Sequence, residues 1–169
     1  LDFSETKVRD CMVPRTEIDA VEDTTTISGL QQVFIESGHS KIIVYHEDID
    51  HITGYVHSSD MFRLTAAQSD ATLMSLKATL LRSISYVPET MLASKLMRML
   101  MQEKRSLAVV VDEFGGTSGL VSLEDIMEEI TGEIEDEHDN SNHVAKQISE
   151  NEYVLSARLE IEKINEMFE

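Results

Sequence analysis

Six histidines, one cysteine and 32 acids are the groups in this sequence able to do chemistry, and their spacing decides which chemistry. There is no HExxH pair, and Cys11 alone cannot build a structural zinc site. DIDHITG at 48–54 starts like a calcium loop, but Thr53 and Ser59 stand where the sixth and twelfth positions require Gly and Glu. DEFGG at 112–116 is a Gly-rich acidic turn without the lysine of a phosphate-cradling loop. Nothing in the sequence locates a Ser or Cys nucleophile beside a base, so no catalytic residue and no metal ligand is nominated. What does recur is a Gly followed by an Asp: Gly54 with Asp60, and Gly119 with Asp125. Taken singly, Asp60 and Asp125 read as first-turn acids favoured by a helix dipole, and Ser58 and Ser122 as helix N-caps. Their recurrence at matched places asks for more than capping.

The elements around these residues also recur. HSKIIVY at 39–45 aligns with RSLAVVV at 105–111 at an offset of 66, and GYVHSSDMF at 54–62 with GLVSLEDIM at 119–127 at an offset of 65. Two ordered matches separated by a one-residue deletion define a repeat of about 60 residues. Within each unit, Ile27, Leu30, Val33 and Phe34, or Leu92, Leu96, Met99 and Leu100, recur at helical spacing. A β-branched strand follows at Ile42–Tyr45 or Leu107–Val111, then a polar turn, then a second strand ending at Val56 or Val121. Gly54 and Gly119 mark a bulge or a close backbone approach, and a second helix is expected directly after, capped at Ser58 or Ser122. The reading is an α+β fold of two β-α-β-β-α repeats, each led by a short extended segment near Ile18–Val21 or Ile84–Val87. One unit cannot bury its own sheet, so the pair is expected to pack sheet on sheet with pseudo-twofold symmetry. The boundaries are drawn at 1–66, 67–139 and 140–169.

Composition narrows the partners. The net charge is −18, and residues 112–139 hold eleven acids with no Lys or Arg between Arg105 and Lys146. Nucleic acid and anionic lipid would be repelled by that surface. A single cysteine forms no internal disulfide, which suits a reducing compartment. The longest aliphatic run, Leu107–Val111, is far short of the ~20 residues a membrane span needs. The chain opens at Leu1 without an initiator Met and stops at Glu169 within a helix-like pattern, which reads as a piece of something longer.

DCMVPRTEI at 10–18, GHSKIIVY at 38–45, GYVHSSD at 54–60, VPET at 87–90 and VVVDEFGGTSGLVSLEDIMEEITGEIEDEHD at 109–139 resemble paired CBS domains, and more closely the cytosolic part of the CorC/hemolysin-C-like transporters related to the cyclin M magnesium transporters. The likeness covers about residues 5–139, and YVLSARLEIEKINEMF at 153–168 resembles the start of that family's C-terminal domain. The resemblance implies a non-catalytic regulatory module on the cytoplasmic side of the cell membrane. It would form a homodimer, work on a membrane domain of the same parent chain that moves Mg or Co, and bind AMP or ATP, with Mg²⁺ as a companion of the phosphates.

Family sites use a Gly, two apolar residues, Ser or Thr, two further residues and Asp. Gly119 to Asp125 fits throughout. By that resemblance the Asp125 carboxylate takes the ribose hydroxyls, while Ser122 and free amides at the helix start face a phosphate. Met12 and Val13 then flank the adenine, and His39, Ser40, Lys41 and Ile42 surround base and phosphate. Lys41 stands where the family usually has Arg, which loses the bidentate fork. A second site would combine Asp60 with Val87, Arg105, Ser106 and Leu107, but His57 replaces its Ser or Thr. The acidic segment 122–139, with Ile126, Ile130 and Ile134 four apart, reads either as a solvated helix face or as a divalent-cation sensor. A ligand-free dimerisation scaffold is the remaining alternative.

Overall fold

Strands form where apolar runs must be covered on both faces. The computed structural model describes residues 3–138, with side chains as far as Gly132. The expected linker and C-terminal domain at 140–169 lie outside the described residues. Twelve regular elements follow one another: α1 (Val8–Cys11), β1 (Val13–Pro14), β2 (Ala20–Glu22), α2 (Ile27–Ser37), β3 (Lys41–Tyr45), β4 (Ile52–His57), α3 (Lys77–Leu80), β5 (Ser85–Pro88), α4 (Ala93–Glu103), β6 (Leu107–Val111), β7 (Thr117–Ser122) and α5 (Leu123–His138). They build two sheets, one ordered β2-β3-β4 and the other β1-β7-β6-β5.

The repeat seen in the sequence is reproduced pairing by pairing. Ala20 pairs with Ile43 and Ser85 with Ala108 in parallel, while Lys41 pairs with His57 and Leu107 with Ser122 antiparallel. Each hairpin has a register shift one step before its turn, at Val44/Tyr45 and Val110/Val111. Side chains alternate accordingly. Ala108 and Val110 join a core beneath α1, α4 and α5, whereas Leu107 and Val109 face the other sheet alongside Ile43, Ile52 and Tyr55. Ile42 and Val44 fill the matching helical core of the first repeat. Burial on both faces is why these strands are continuously apolar.

Gly54 and Gly119 are explained by a close approach. A Cβ on Gly54 would lie 2.5 Å from the Arg82 carbonyl oxygen, and one on Gly119 would strike the Val13 carbonyl oxygen. In each case the approaching chain is the extended segment that leads into the other repeat. Leading segments are in fact exchanged. Val8, wholly buried, lies in the second repeat's core, pinned by Val8 N–H to Met91 O at 2.8 Å and Ala93 N–H to Thr6 O at 2.8 Å. Leu73 and Leu80 fill the first repeat's core, pinned by Leu73 N–H to Thr25 O at 2.9 Å and Ile27 N–H to Ala71 O at 2.9 Å. Packing therefore crosses the boundary drawn at residue 66.

The second helix of the first repeat departs from expectation. Ser58–Arg63 is a 3-10 stretch, and its cap is His57, whose Nδ1 accepts from Ser59 N–H at 3.1 Å, instead of Ser58. Met61 and Leu64 pack on the core there while Phe62 is 91% exposed, so packing does not extend the turn into an α-helix. In α5 the wholly buried Ile126 and the half-buried Ile130 do extend it, and Glu124 and Glu128 face solvent.

Candidate functional site

The start of β3 and the start of α5 meet across the two repeats. Lys41 Nζ lies 3.5 Å from Glu124 Oε1, with the lysine side chain only 20% exposed. Glu124 sits between Ser122 and Asp125, so one cation of the first repeat is held at the helix start of the second. His39 and Ser40 are exposed just before Lys41. Met12 packs against Gly119, where its sulfur would lie 2.8 Å from an added Cβ, and Val13 pairs with Leu120. Met12, Val13, Lys41, Ser122 and Asp125 are each half-buried.

Ser122 and Asp125 form a reciprocal cap. Asp125 N–H donates to Ser122 Oγ at 3.0 Å, and Ser122 N–H donates to Asp125 Oδ2 at 3.0 Å. Leu123 N–H donates to Ser106 O at 2.9 Å. Capping and sheet closure therefore use the Ser122, Leu123 and Asp125 amides at this helix start. A carboxylate has about four acceptor sites, so Asp125 retains capacity for hydroxyl donors.

At the equivalent place in the first repeat Asp60 is only 3% exposed and both its oxygens are engaged. Arg82 Nε reaches Oδ2 at 2.7 Å and Nη2 reaches Oδ1 at 2.9 Å, with Arg63 Nη2 at 3.8 Å. These bonds hold the Asp60 carboxyl below the usual carboxylate range, against burial that pushes it up. The same pairing raises the Arg82 guanidinium.

The remaining nominated residues are placed as follows. Arg105 is exposed and donates to Ser85 Oγ at 2.8 Å, and Ser106 is half-buried at the start of β6. Ile42, Val87 and Leu107 are 0%, 1% and 4% exposed and belong to the cores, so only their backbones can meet a ligand. The residue that matches Val13 beside the repeat's glycine is Arg82, since Tyr55 pairs with Arg82 where Leu120 pairs with Val13. No sequence signal marked Arg82, because its role depends on which extended residue lies against Gly54.

A depression of about 610 Å³ opens at the far ends of β2 and β3. Its walls include Asp23, His46, His51, Lys77 and Tyr86, and none of the nominated residues. Asp23 Oδ2 meets His46 Nδ1 at 2.9 Å, raising the imidazole, while the buried Oδ1 has no hydrogen-bond partner. Nearby, Asp50 ties the repeats together, pairing with Arg15 and accepting Thr117 N–H at 2.9 Å, which lowers its carboxyl. Among the described residues no three His, Cys, Asp or Glu side chains gather as a metal centre, and no helix is long and apolar enough to cross a membrane.

Comparison with known proteins agrees with this architecture. A CBS-domain family model matches residues 79–132. The magnesium and cobalt efflux protein CorC of Escherichia coli (strain K12) is 37% identical over 169 residues, and the chain spans 57% of that relative's length and the relative 99% of this chain. The CBS domain of the bacterial CNNM/CorC family Mg²⁺ transporter, solved in complex with ATP, is 39% identical with a TM-score of 0.71, over 77% of this chain and 90% of that one. A CBS-domain pair from Klebsiella pneumoniae with bound AMP is 29% identical with a TM-score of 0.63, over 74% of this chain and 98% of that one.

Proposed function

The chain belongs to the CNNM/CorC family, of which it carries the paired CBS domains, and on that premise we propose that it is a regulatory module binding AMP or ATP between its repeats. The observation that carries the reading is the approach of Lys41 to the Ser122–Asp125 helix start, which joins a cation of one repeat to the carboxylate of the other. Asp125 accepts the ribose hydroxyls, Met12 and Val13 enclose the adenine, and His39, Ser40 and the Ile42 backbone border it. Lys41 supplies the charge for the phosphate, releasing Glu124 as it does so. ATP brings more negative charge than AMP to a chain of net charge −18, so Mg²⁺ favours ATP more than AMP.

Support for the wider role comes from the relatives. The parent is read as a membrane protein moving Mg or Co, with this module on the cytoplasmic side and acting on a membrane domain of the same chain. The module itself catalyses nothing in this reading. Nucleotide controls the parent only by binding one arrangement of the repeats more tightly than another. Ile35 on α2 and Phe62 in the 58–63 turn, 68% and 91% exposed, are the apolar side chains we propose a second copy covers in a homodimer.

Calorimetric titration of the wild type and Asp125→Ala with AMP and ATP, each with and without Mg²⁺, tests the proposal. Loss of two charge-assisted hydrogen bonds weakens binding at least about tenfold. Equal affinity of the two proteins would remove Asp125 from the site. No binding at millimolar nucleotide by a persisting dimer would leave a scaffold. Stabilisation by Mg²⁺ alone would point to cation sensing.

A further inference from the structure

The two Gly–Asp positions related by the repeat are not equivalent, and the difference resides in one residue. Asp60 and Asp125 are related by the offset of 65 that also relates Tyr55 to Leu120 and Gly54 to Gly119. Beside the first glycine runs Arg82, which exchanges backbone hydrogen bonds with Tyr55 (Tyr55 N–H to Arg82 O, 3.1 Å; Arg82 N–H to Tyr55 O, 2.8 Å). Beside the second runs Val13, paired with Leu120. Arg82 and Val13 are therefore the same structural position, one carrying a guanidinium and the other an isopropyl group. The guanidinium occupies both oxygens of Asp60 with the bidentate geometry that a ribose diol would otherwise claim. Valine cannot do this to Asp125, whose Oδ2 accepts from the Ser122 amide.

We propose that Arg82 is an internal plug: its fork on Asp60 closes the first cleft to nucleosides and so makes Arg82 the residue that sets nucleotide stoichiometry. The proposal rests on the nucleotide reading of the Asp125 cleft. The Asp60 side chain is 5% exposed, and Arg82's backbone is fixed at Gly54, so the guanidinium does not have to search for its partner. A nucleoside entering here would have to displace a charge-assisted pair. Arg63, at 3.8 Å from Asp60, adds a second cation to the same carboxylate.

Calorimetric stoichiometry with AMP provides the test, using the wild type, Arg82→Val, Arg82→Gln, Asp125→Ala and the combination of Arg82→Val with Asp60→Asn. The wild type is expected to bind one AMP per chain through Asp125. Arg82→Val and Arg82→Gln are expected to bind two, the added one disappearing with Asp60→Asn. If both Arg82 variants stay at one AMP per chain, abolished by Asp125→Ala, the plug is wrong and the nucleotide reading stands. If the wild type binds nothing but Arg82→Val gains one Asp60-dependent site, the Asp125 reading fails and the plug is upheld. If neither binds, both fail. Arg82→Val strands a buried carboxylate, so Arg82→Gln, which keeps one donor for Asp60, guards against unfolding. A measurement on the unaltered chain adds a further check: the Arg82 Nε–H resonance should stay in place at saturating AMP, and movement there would overturn the plug.

Discussion

Asp60 and Arg82 depend on each other unequally, and the inequality is measurable. Arg82 is 44% exposed on its side chain, whereas the Asp60 side chain is 5% exposed. Removing the carboxylate by Asp60→Ala leaves a guanidinium that water can reach, at a cost of about 1–2 kcal/mol. Removing the guanidinium by Arg82→Ala leaves a buried charge, at a cost of about 3 kcal/mol. Urea denaturation of the two variants should rank them in that order. The pH dependence follows from the direction of the shift. Because the folded Asp60 carboxyl lies below its ordinary value, the stability it contributes is present above pH ~4 and is lost as pH falls through the folded value. Asp60→Ala should flatten that acid limb. His46 is opposite in sign: held by Asp23, its imidazole is raised, so its contribution is present below pH ~6.5 and fades as pH rises through the folded value. An NMR titration should place the His46 midpoint above ~6.5, and Asp23→Asn should bring it down. The Gly119–Asp125 pattern was legible because its parts are close in sequence. Arg82 was not, because its partner lies 22 residues upstream and the pairing depends on strand register.

Among the elements, glycines separate packing from propensity. Gly54 and Gly119 carry an approaching carbonyl where a Cβ would be, so Gly54→Ala and Gly119→Ala should each destabilise by about 1–3 kcal/mol as the extended segment is pushed away. Gly132 lies within α5 with nothing within 4 Å of an added Cβ, so Gly132→Ala should stabilise by about 1 kcal/mol. Thermal denaturation of the three variants checks both signs, and a uniform sign would refute the distinction. The close approach at these glycines could be read from sequence because both copies keep the glycine while their neighbours change. The 3-10 stretch at Ser58–Arg63 could not. Its sequence has a cap and an acid like those of α5, and what it lacks is the long run of apolar positions that packing needs to carry a helix beyond its first turn.

For the molecule as a whole, exchange of leading segments matters more than the count of repeats. Thr6–Val8 bonds to Met91 and Ala93 while Ala71–Leu73 bonds to Thr25 and Ile27, so each repeat's helical core is completed by chain that the other repeat follows. Between the sheets a third cluster, including Ile43, Tyr55, Leu107 and Val109, belongs to both repeats. Thr117 N–H and Asp50 add a polar tie at the far end. Packing therefore runs across the boundary between the two sequence repeats. Sequence periodicity finds the repeated elements but is silent on which copy a leading segment joins, because Val8 and Leu73 are equally apolar and either core would accept them. The consequence is cooperativity: denaturant unfolding followed by far-ultraviolet circular dichroism and by tyrosine fluorescence should give one coincident transition. Val8→Ala, in the first tenth of the chain, should lower its midpoint by about 2 kcal/mol of stability while leaving the two probes coincident. If that substitution instead split the curves, with half the signal surviving at the wild-type midpoint, the repeats would be independent units and a ligand between them would have no shared framework to act on.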